Sequence, residues 1–294
     1  MTNNSHDVTT VSYGKITLLL RLAGPLQSWG ISSRYASRDT GSEPSKSGVV
    51  GILAAALGLP RETDLSYVAL PDVPAPFDLT RLRMGVRVDN EGVPGYDFQT
   101  VGGGEDHPGI AEAQDTPKLI ARRLAKHAAG QTKGRDADSI SNRYFLQDAV
   151  FLVGLEAEGD DWDAMSALDR ALQRPVFPIG LGRRGYVPSL PIALRYRPGD
   201  TGVRHLPLRD ALGSEPWLGD AHHNARRRAS VRTVIEADPN DPEDVQRSII
   251  RNDQPVGSAF QTRVFGPRAV VYDDVPAPTR TLDGADTPSE EGIV

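Results

Sequence analysis

The order of the apolar segments is the feature that most restricts how this chain of 294 residues can fold. Residues 15–22 ("KITLLLRL") form a short, continuous apolar run, which is typical of a strand buried inside a sheet. Residues 46–57 are also apolar and follow Ser45, a good N-cap, so they predict a short buried helix. Two strand candidates come next, at residues 81–90 and 95–101. This stretch therefore predicts the order β-α-β-β.

A polar, glycine-rich segment interrupts this order at residues 102–141 and predicts a protruding insertion, because it has few apolar side chains for a core. A strand at 144–158 and an amphipathic helix at 161–174 follow it. A last strand at 192–197 would complete the order β-α-β-β-α-β. The sequence therefore predicts an α+β, ferredoxin-like domain with an antiparallel sheet over residues 14–197.

Two further regions follow the predicted domain. Residues 198–272 contain strand candidates at 229–237 and 261–272, and they predict a small β-rich addition packed on the first unit. Residues 273–294 contain six acids and one arginine, with three prolines between them, so they predict a disordered acidic tail.

The composition excludes several classes of protein and site. No run approaches the roughly 18 apolar residues that a membrane-spanning helix needs, so no membrane partner is expected. The chain contains no cysteine, and its six histidines show no ligand spacing with carboxylates, so we expect neither a metal nor another cofactor. Its start lacks the layout of a secretory signal, which favours a cytoplasmic protein.

The formal net charge of −6 hides an uneven distribution of charge along the chain. Residues 182–232 contain ten arginines and four acids, which makes this region basic on an acidic chain. A locally basic surface is compatible with a polyanion such as RNA. A solvated surface held by salt bridges would have the same composition, so both interpretations stay open at this point.

The segment "GSEPSKSG" at residues 41–48 invites comparison with a phosphate-binding P-loop. Ser45 stands where that motif needs its second glycine, and the preceding strand ends too early, which argues against an ATPase or GTPase. A helix N-terminus nevertheless accepts anions, and nearby side chains could add donors. The candidate phosphate contacts here are Arg34, Arg38, Ser45, Lys46 and Ser47. The alternative is an ordinary capped helix with a solvated lysine.

A second candidate site is the glycine-rich segment "IGLGRRGYVPS". Gly182 lets the backbone approach a ligand closely, and Arg183 and Arg184 supply positive charge. Tyr186 in this segment, and Trp29 near the other basic loop, are candidates for stacking on bases. A solvated turn and aromatic core packing are the alternatives for these residues.

Four blocks of this sequence, in matched order, resemble a known family. They are "LLLRLAGPLQSWG…SRDTGSEPSKSGVVGILAAALG", "YDFQTVGG", "RYFLQDAVFLVGLE" and "LGRRGYVPS". A fifth segment, "VGSAFQTRVFGPRAVVY", resembles the family more weakly. Over about residues 16–191 the chain resembles the CasD family of subunits of type I-E CRISPR Cascade complexes, within the repeat-associated mysterious protein superfamily. The family's loop often carries Ser-Cys after the arginine pair, whereas this chain has Gly185 and Tyr186.

The resemblance implies an RNA-recognition-like ferredoxin fold in which the insertion is a thumb. It implies a non-catalytic subunit that caps the 5′ handle of the CRISPR RNA. It also implies three partners: the backbone subunit, through the thumb; the large subunit that reads the PAM; and target DNA, through the complex. The RNA-binding residues predicted on this basis are Trp29, Arg34, Arg38, Ser45, Lys46, Ser47, Gly182, Arg183, Arg184 and Tyr186.

A metal-independent endoribonuclease is the second function that the sequence allows, since relatives in another CRISPR subtype resemble processing enzymes. His222 and His223, followed by Arg226, Arg227 and Arg228, could supply an acid, a base and a positive charge for cleavage. A solvated loop explains these residues as well, and in type I-E systems the resemblance assigns processing to a different subunit. Only the nuclease would cut repeat RNA in the presence of a chelator. A scaffold that binds protein alone would hold no RNA.

Overall fold

A seven-stranded antiparallel sheet forms the centre of the molecule. The structure is a computed structural model and describes residues 14–30, 37–101, 139–159, 161–219 and 229–278. Its strands are β1 (Ile16–Ala23), β2 (Leu26–Gln27), β3 (Ser37–Arg38), β4 (Arg83–Asn90), β5 (Val93–Val101), β6 (Ser139–Gln147), β7 (Val150–Ala157), β8 (Val203–Arg204), β9 (Ser230–Glu236), β10 (Ile249–Pro255) and β11 (Phe265–Pro276). Its helices are α1 (Lys46–Leu57), α2 (Trp162–Gln173), α3 (Leu208–Ser214), α4 (Pro242–Arg247) and α5 (Ala259–Thr262).

The strands of the main sheet run in the order β10-β11-β9-β4-β7-β1-β8, and every neighbouring pair is antiparallel. Along the chain, α1 lies between β1 and β4, and α2 lies between β7 and β8. Strands β8, β1, β7 and β4 are therefore contiguous in space. With their two helices they follow the order β-α-β-β-α-β along the sequence, interrupted by β5 and β6.

The central strands β1 and β7 are buried on both faces. Because alternate side chains point to opposite faces of a strand, Leu18 and Leu20 pack with α1 and α2, whereas Leu19 faces α3. Each face of the sheet thus has its own apolar cluster, the larger one under α1 and α2. Burial of one leucine side chain contributes roughly 2 kcal/mol, so continuous apolar strands belong at the centre of the sheet.

The helix predicted at 46–57 is confirmed with the same bounds. Ser45 has extended backbone, and its Oγ accepts a hydrogen bond from the backbone N–H of Gly48 at 3.3 Å. Gly58 ends the helix at φ 72°, a left-handed conformation that glycine adopts without strain. The second predicted helix is confirmed as α2, with Met165 and Leu168 buried.

Strands β5 and β6 belong to a second, four-stranded sheet together with the short strands β2 and β3. The strand predicted at 95–101 is confirmed as part of β5, but in this small sheet. The single strand predicted at 144–158 is wrong. Asp148, at φ 54°, divides it into β6 and β7, which lie in different sheets. Aspartate tolerates this conformation because its short side chain can bond locally.

The last strand predicted at 192–197 is also wrong. Among the described residues, Leu20 and Ala193 form only an isolated bridge there, and β8 takes the edge of the sheet beside β1. The carboxylate of Asp200 accepts a hydrogen bond from the backbone N–H of Arg197 at 2.8 Å. This contact closes a turn, so the segment does not continue as a paired strand.

Residues 198–272, predicted as an addition packed on the first unit, extend the main sheet itself. β9 pairs with β4, and β11 and β10 continue outward from it. β11 also runs past the predicted start of the acidic tail, because Asp273 and Asp274 lie opposite Thr233 and Arg232 of β9. The strand therefore continues to residue 276, and the boundary predicted at 273 is corrected.

Two predicted regions lie outside the described residues: most of the insertion, 102–138, and the end of the predicted tail, 279–294. Residues 139–141, at the end of the predicted insertion, form the start of β6. No helix in the described part of the chain is long and apolar enough to cross a membrane. The same residues contain no cluster of three or more His, Cys, Asp or Glu suited to a metal ion.

Candidate nucleic-acid interface

The N-terminus of α1, a predicted phosphate site, is filled by a carboxylate of this chain. The backbone N–H of Lys46 donates to Oδ2 of Asp253 at 2.9 Å. Arg268 holds the same carboxylate through Nε and Nη2, at 2.6 and 3.0 Å. A helix N-terminus favours an anion, and Asp253 supplies it in place of an external phosphate.

The side chain of Lys46 points into the protein. It is 1% exposed, and its Nζ lies 3.0 Å from Oε2 of Glu236. Burial lowers the pKa of Lys46, although the carboxylate of Glu236 opposes this by favouring the charged form. The prediction that Lys46 meets an RNA phosphate is therefore corrected, because its ammonium group is paired in the core.

The two serines beside Lys46 serve the helix. Ser45 is buried, and its Oγ is used to cap α1. Ser47 is half-buried, and its hydroxyl donates to Oγ of Ser45 at 3.4 Å. Ser45 is thus removed from the candidate RNA contacts, whereas Ser47 stays at the edge of solvent.

The two aromatic residues predicted to stack on bases are core residues. Trp29 is 1% exposed, and its Nε1 donates to Oε1 of Gln27 at 3.2 Å. Tyr186 is 8% exposed and meets the ring of Phe145 edge-on, with centroids 6.2 Å apart. Both stacking predictions are corrected, because rings of this size gain more from burial against apolar neighbours than from exposure to water.

Strand β6 brings together two basic segments that lie far apart in sequence. β3 pairs with β6 so that Arg38 lies opposite Arg143. Arg183, in the glycine-rich loop, donates from Nη2 to the carbonyl oxygen of Tyr144 at 2.9 Å. Arg38 and Arg183 thus reach adjacent residues of one strand. Both Arg38 and Arg184 are exposed to solvent.

Gly182 holds the glycine-rich loop close to the residue that follows β2. Its φ is 84°, and a Cβ at this position would collide with the carbonyl oxygen of Ser28. The backbone N–H of Ser28 donates to the carbonyl oxygen of Leu181 at 3.0 Å, next to this close approach. Any other residue at position 182 would have to push the loop away, so this glycine positions the two arginines that follow it.

Tyr186, whose hydroxyl is itself bonded to an acid, orients Arg183. Its Nη1 donates to the hydroxyl of Tyr186 at 2.8 Å, and its guanidinium carbon lies 5.2 Å from the centroid of the same ring. The Tyr186 hydroxyl donates in turn to Oδ2 of Asp97 at 3.4 Å. Burial raises the pKa of Tyr186, so its hydroxyl stays protonated at neutral pH and can both accept and donate.

The register of the small sheet divides its side chains between two faces, since directly opposed residues share a face. The arginine face carries Arg38, Asp97, Arg143 and Phe145, and it meets the glycine-rich loop. The aromatic face, on the other side, carries Tyr96, Phe98 and Tyr144. The strand residues that could neutralise phosphates therefore lie on one face.

Six candidate residues lie outside the described part of the chain. They are Arg34 and the five residues of the nuclease hypothesis: His222, His223, Arg226, Arg227 and Arg228. Conversely, Arg143 lies on the arginine face but is not among the predicted RNA contacts, although it opens the block "RYFLQDAVFLVGLE". Only the adjacent basic and aromatic residues in "NRYFLQ" indicate in the sequence that this strand reaches the surface.

Comparison with known proteins assigns this fold to a family. The family described as "CRISPR-associated protein (Cas_Cas5)" matches residues 17–271. The chain is also 29% identical to the CRISPR system Cascade subunit CasD of Escherichia coli (strain K12) over 205 residues, which are 70% of this chain and 80% of that protein.

Two solved structures share the mixed α/β fold with antiparallel sheets. One, described as "Crystal structure of Cas protein", is 36% identical with a TM-score of 0.58, over 89% of this chain and 97% of that chain. Another, described as "CRISPR RNA-guided surveillance complex", is 29% identical with a TM-score of 0.56, over 90% and 91%. The chain therefore belongs to the Cas5 family of CRISPR-associated proteins. Within it, the resemblance to CasD that the four sequence blocks indicate is confirmed.

Proposed function

We propose that this chain is a non-catalytic, CRISPR RNA-binding subunit of a type I-E Cascade surveillance complex in the cytoplasm, where it serves antiviral defence by capping the 5′ handle of the RNA. Its family and its similarity to a Cascade subunit support the proposal. The observation that carries it is the meeting of Arg38, Arg143 and Arg183 at β6, beside the exposed Arg184.

The proposed fold is an RNA-recognition-like, ferredoxin-like core with a thumb. The contiguous antiparallel strands β8-β1-β7-β4, with α1 and α2 between them along the chain, support the core. The residues between β5 and β6 along the chain would form the thumb. Through it the chain would contact the backbone subunit, and it would also meet the large PAM-reading subunit. Target DNA would reach it only through the complex.

The arginine face and the glycine-rich loop would hold the RNA by its backbone. Arg38 and Arg184 are exposed and can turn toward phosphates, whereas Arg183 is already oriented by Tyr144 and Tyr186. A guanidinium group binds phosphate oxygens with two parallel hydrogen bonds. The proposed contacts are Arg38, Gly182, Arg183 and Arg184, with Arg34 and Ser47 as further candidates.

Exchange of the two exposed arginines for glutamine, Arg38→Gln with Arg184→Gln, tests this proposal. Each lost phosphate contact removes about 0.7 from the slope of log affinity against log salt for a single strand. We therefore expect a slope shallower by roughly 1.4 for the double variant. The measurement is a titration of labelled repeat-derived RNA with the full chain at several salt concentrations.

A charge-matched control is Arg61→Gln with Arg263→Gln, because both arginines are exposed and lie in other parts of the fold. This control should keep the salt slope of the unmodified chain. If the two double variants behave alike, the arginine face is not the RNA site and the proposal fails. Discovery that the complex containing the chain carries no discrete small RNA would also contradict it.

A further inference from the structure

The aromatic face of the small sheet is unusually exposed for side chains of its kind. Tyr96 is 60%, Phe98 61% and Tyr144 37% exposed. The rings of Tyr96 and Tyr144 are neighbours, with centroids 5.7 Å apart. Phe98 lies on the same face two residues further along β5, about 7 Å from Tyr96 at the rise of a strand. A contiguous group of exposed aromatic side chains marks an interaction surface.

The charge of this face argues against RNA as its occupant. Gln27, Pro94, Asn142 and Leu146 are the other strand residues with described side chains that the register places on this face, and all four are uncharged. Phosphate binding needs cations beside the bound strand, and the arginines of this sheet lie on the opposite face. Uncharged aromatic surfaces are instead typical of the cores of protein–protein interfaces, which are depleted in charge and enriched in tyrosine and phenylalanine.

A cleft of about 490 Å³ lies at the base of this face. Pro94, Tyr144 and Leu146 form its apolar side, and Asp39 and Glu91 are among its polar residues. Arg232 also lines it, but its Nη2 is 3.3 Å from Oε2 of Glu43. An apolar side chain that enters this cleft would pack against Pro94, Tyr144 and Leu146.

We propose that the aromatic face, with the cleft at its base, docks an uncharged, apolar segment of a neighbouring protein subunit in the complex. Tyr96 and Phe98 form the centre of the contact, and the cleft receives one apolar side chain of that segment. This inference rests on the proposed function, because it needs a complex in which a second subunit lies beside this chain. It assigns RNA to one face of the small sheet and protein to the other.

The double variant Tyr96→Ala with Phe98→Ala tests the docking surface. Both side chains are about 60% exposed, so the variant should fold with an unchanged melting temperature. The matched control is Tyr67→Ala, which removes an aromatic side chain that is 72% exposed on the segment between α1 and β4. Each form is co-expressed with the other protein subunits of its complex and a CRISPR array, and the complex is purified through a tag on another subunit.

Because central aromatic residues dominate interface energies, we expect the double variant to occupy the purified complex on the order of ten-fold less than the unmodified chain. Its affinity for labelled repeat-derived RNA, measured on the full chain alone, should stay within about two-fold, while the Tyr67 control keeps both properties. Normal occupancy of the complex would overturn the proposal. Weaker RNA binding by the double variant would overturn it as well, because the face would then stack bases. Loss of RNA binding in the arginine variants has no bearing on this result, so the two proposals fail separately.

Discussion

Lys46, Glu236, Asp253 and Arg268 form a buried ionic cluster that ties the start of α1 to strands β9, β10 and β11. Burial alone would raise the pKa of Asp253, but the hydrogen bonds and charge of Arg268, with the amide of Lys46, hold it below the ordinary value. The carboxylate therefore stays ionised and serves as the permanent anion of the helix N-terminus. An external phosphate could enter only by displacing it.

The variant Lys46→Ala should destabilise the fold without any direct effect on RNA. Removing Lys46 takes away the nearest cation of the largely buried Glu236 carboxylate and leaves only Arg268, at 3.8 Å, in the ionic cluster. We therefore expect a loss of roughly 3 kcal/mol in the free energy of unfolding. Lys46→Met fills the space with an apolar chain and should lose less. Denaturant unfolding measures both. An Lys46→Met protein of normal stability with weakened RNA binding would show that the ammonium group does reach the RNA.

Strand β11 includes acidic residues that the sequence alone assigns to a tail. Asp273 and Asp274 look like part of an acidic tail, yet both are opposed by residues of β9. Asp273 also accepts from Arg209 and from Arg247, each at 3.0 Å. The acids at the end of β11 therefore belong to the sheet, because the strand beside them presents backbone groups and arginines are close by.

Two truncated chains test whether the end of β11 contributes to the stability of the fold. A chain ending at Tyr272 loses the last four ladder positions and the ion pairs of Asp273, so its free energy of unfolding should fall by about 2 kcal/mol or more. A chain ending at Pro278 keeps them and should stay within about 0.5 kcal/mol of the full chain. Thermal or denaturant unfolding gives the comparison. Equal stability of the two truncations would mean that the end of β11 contributes nothing.

The molecule as a whole is acidic, yet its small sheet separates two kinds of side chain. Arg38 and Arg143 lie on one face of this sheet, whereas the other face is aromatic. One thin sheet could therefore contact two kinds of macromolecule at the same time. RNA on one face and protein on the other is the arrangement that the two proposals above require.

Incubation of the full chain with repeat RNA in EDTA should give no discrete product. The proposed RNA contacts are arginines, a glycine and the candidate Ser47, which do not form an acid–base pair beside a phosphate. Efficient cleavage needs both an acid and a base. Gel analysis of end-labelled RNA is the measurement. A discrete cut that disappears in the His222→Ala/His223→Ala variant would replace the proposed function with a nuclease.

Local signals were enough for the elements that form from neighbouring residues. Ser45 and Gly58 delimit α1 in the sequence as they do in the structure, because capping depends on residues within one turn. The prediction of a single strand at 144–158 missed the turn at Asp148, although an aspartate between two apolar runs is a turn signal. β10 has no strong pattern, since Ile249 and Ile250 are adjacent and both exposed.

The sequence by itself determined α1, α2, the central strand β1 and the family, because periodicity, caps and ordered motif blocks are local properties of the chain. Only the tertiary structure decided which charges and rings are available. Lys46 and Trp29 became core residues, while Arg183 and Arg38 met at β6. Burial depends on pairings between residues that are far apart along the chain, and no local pattern records which partner a side chain will find.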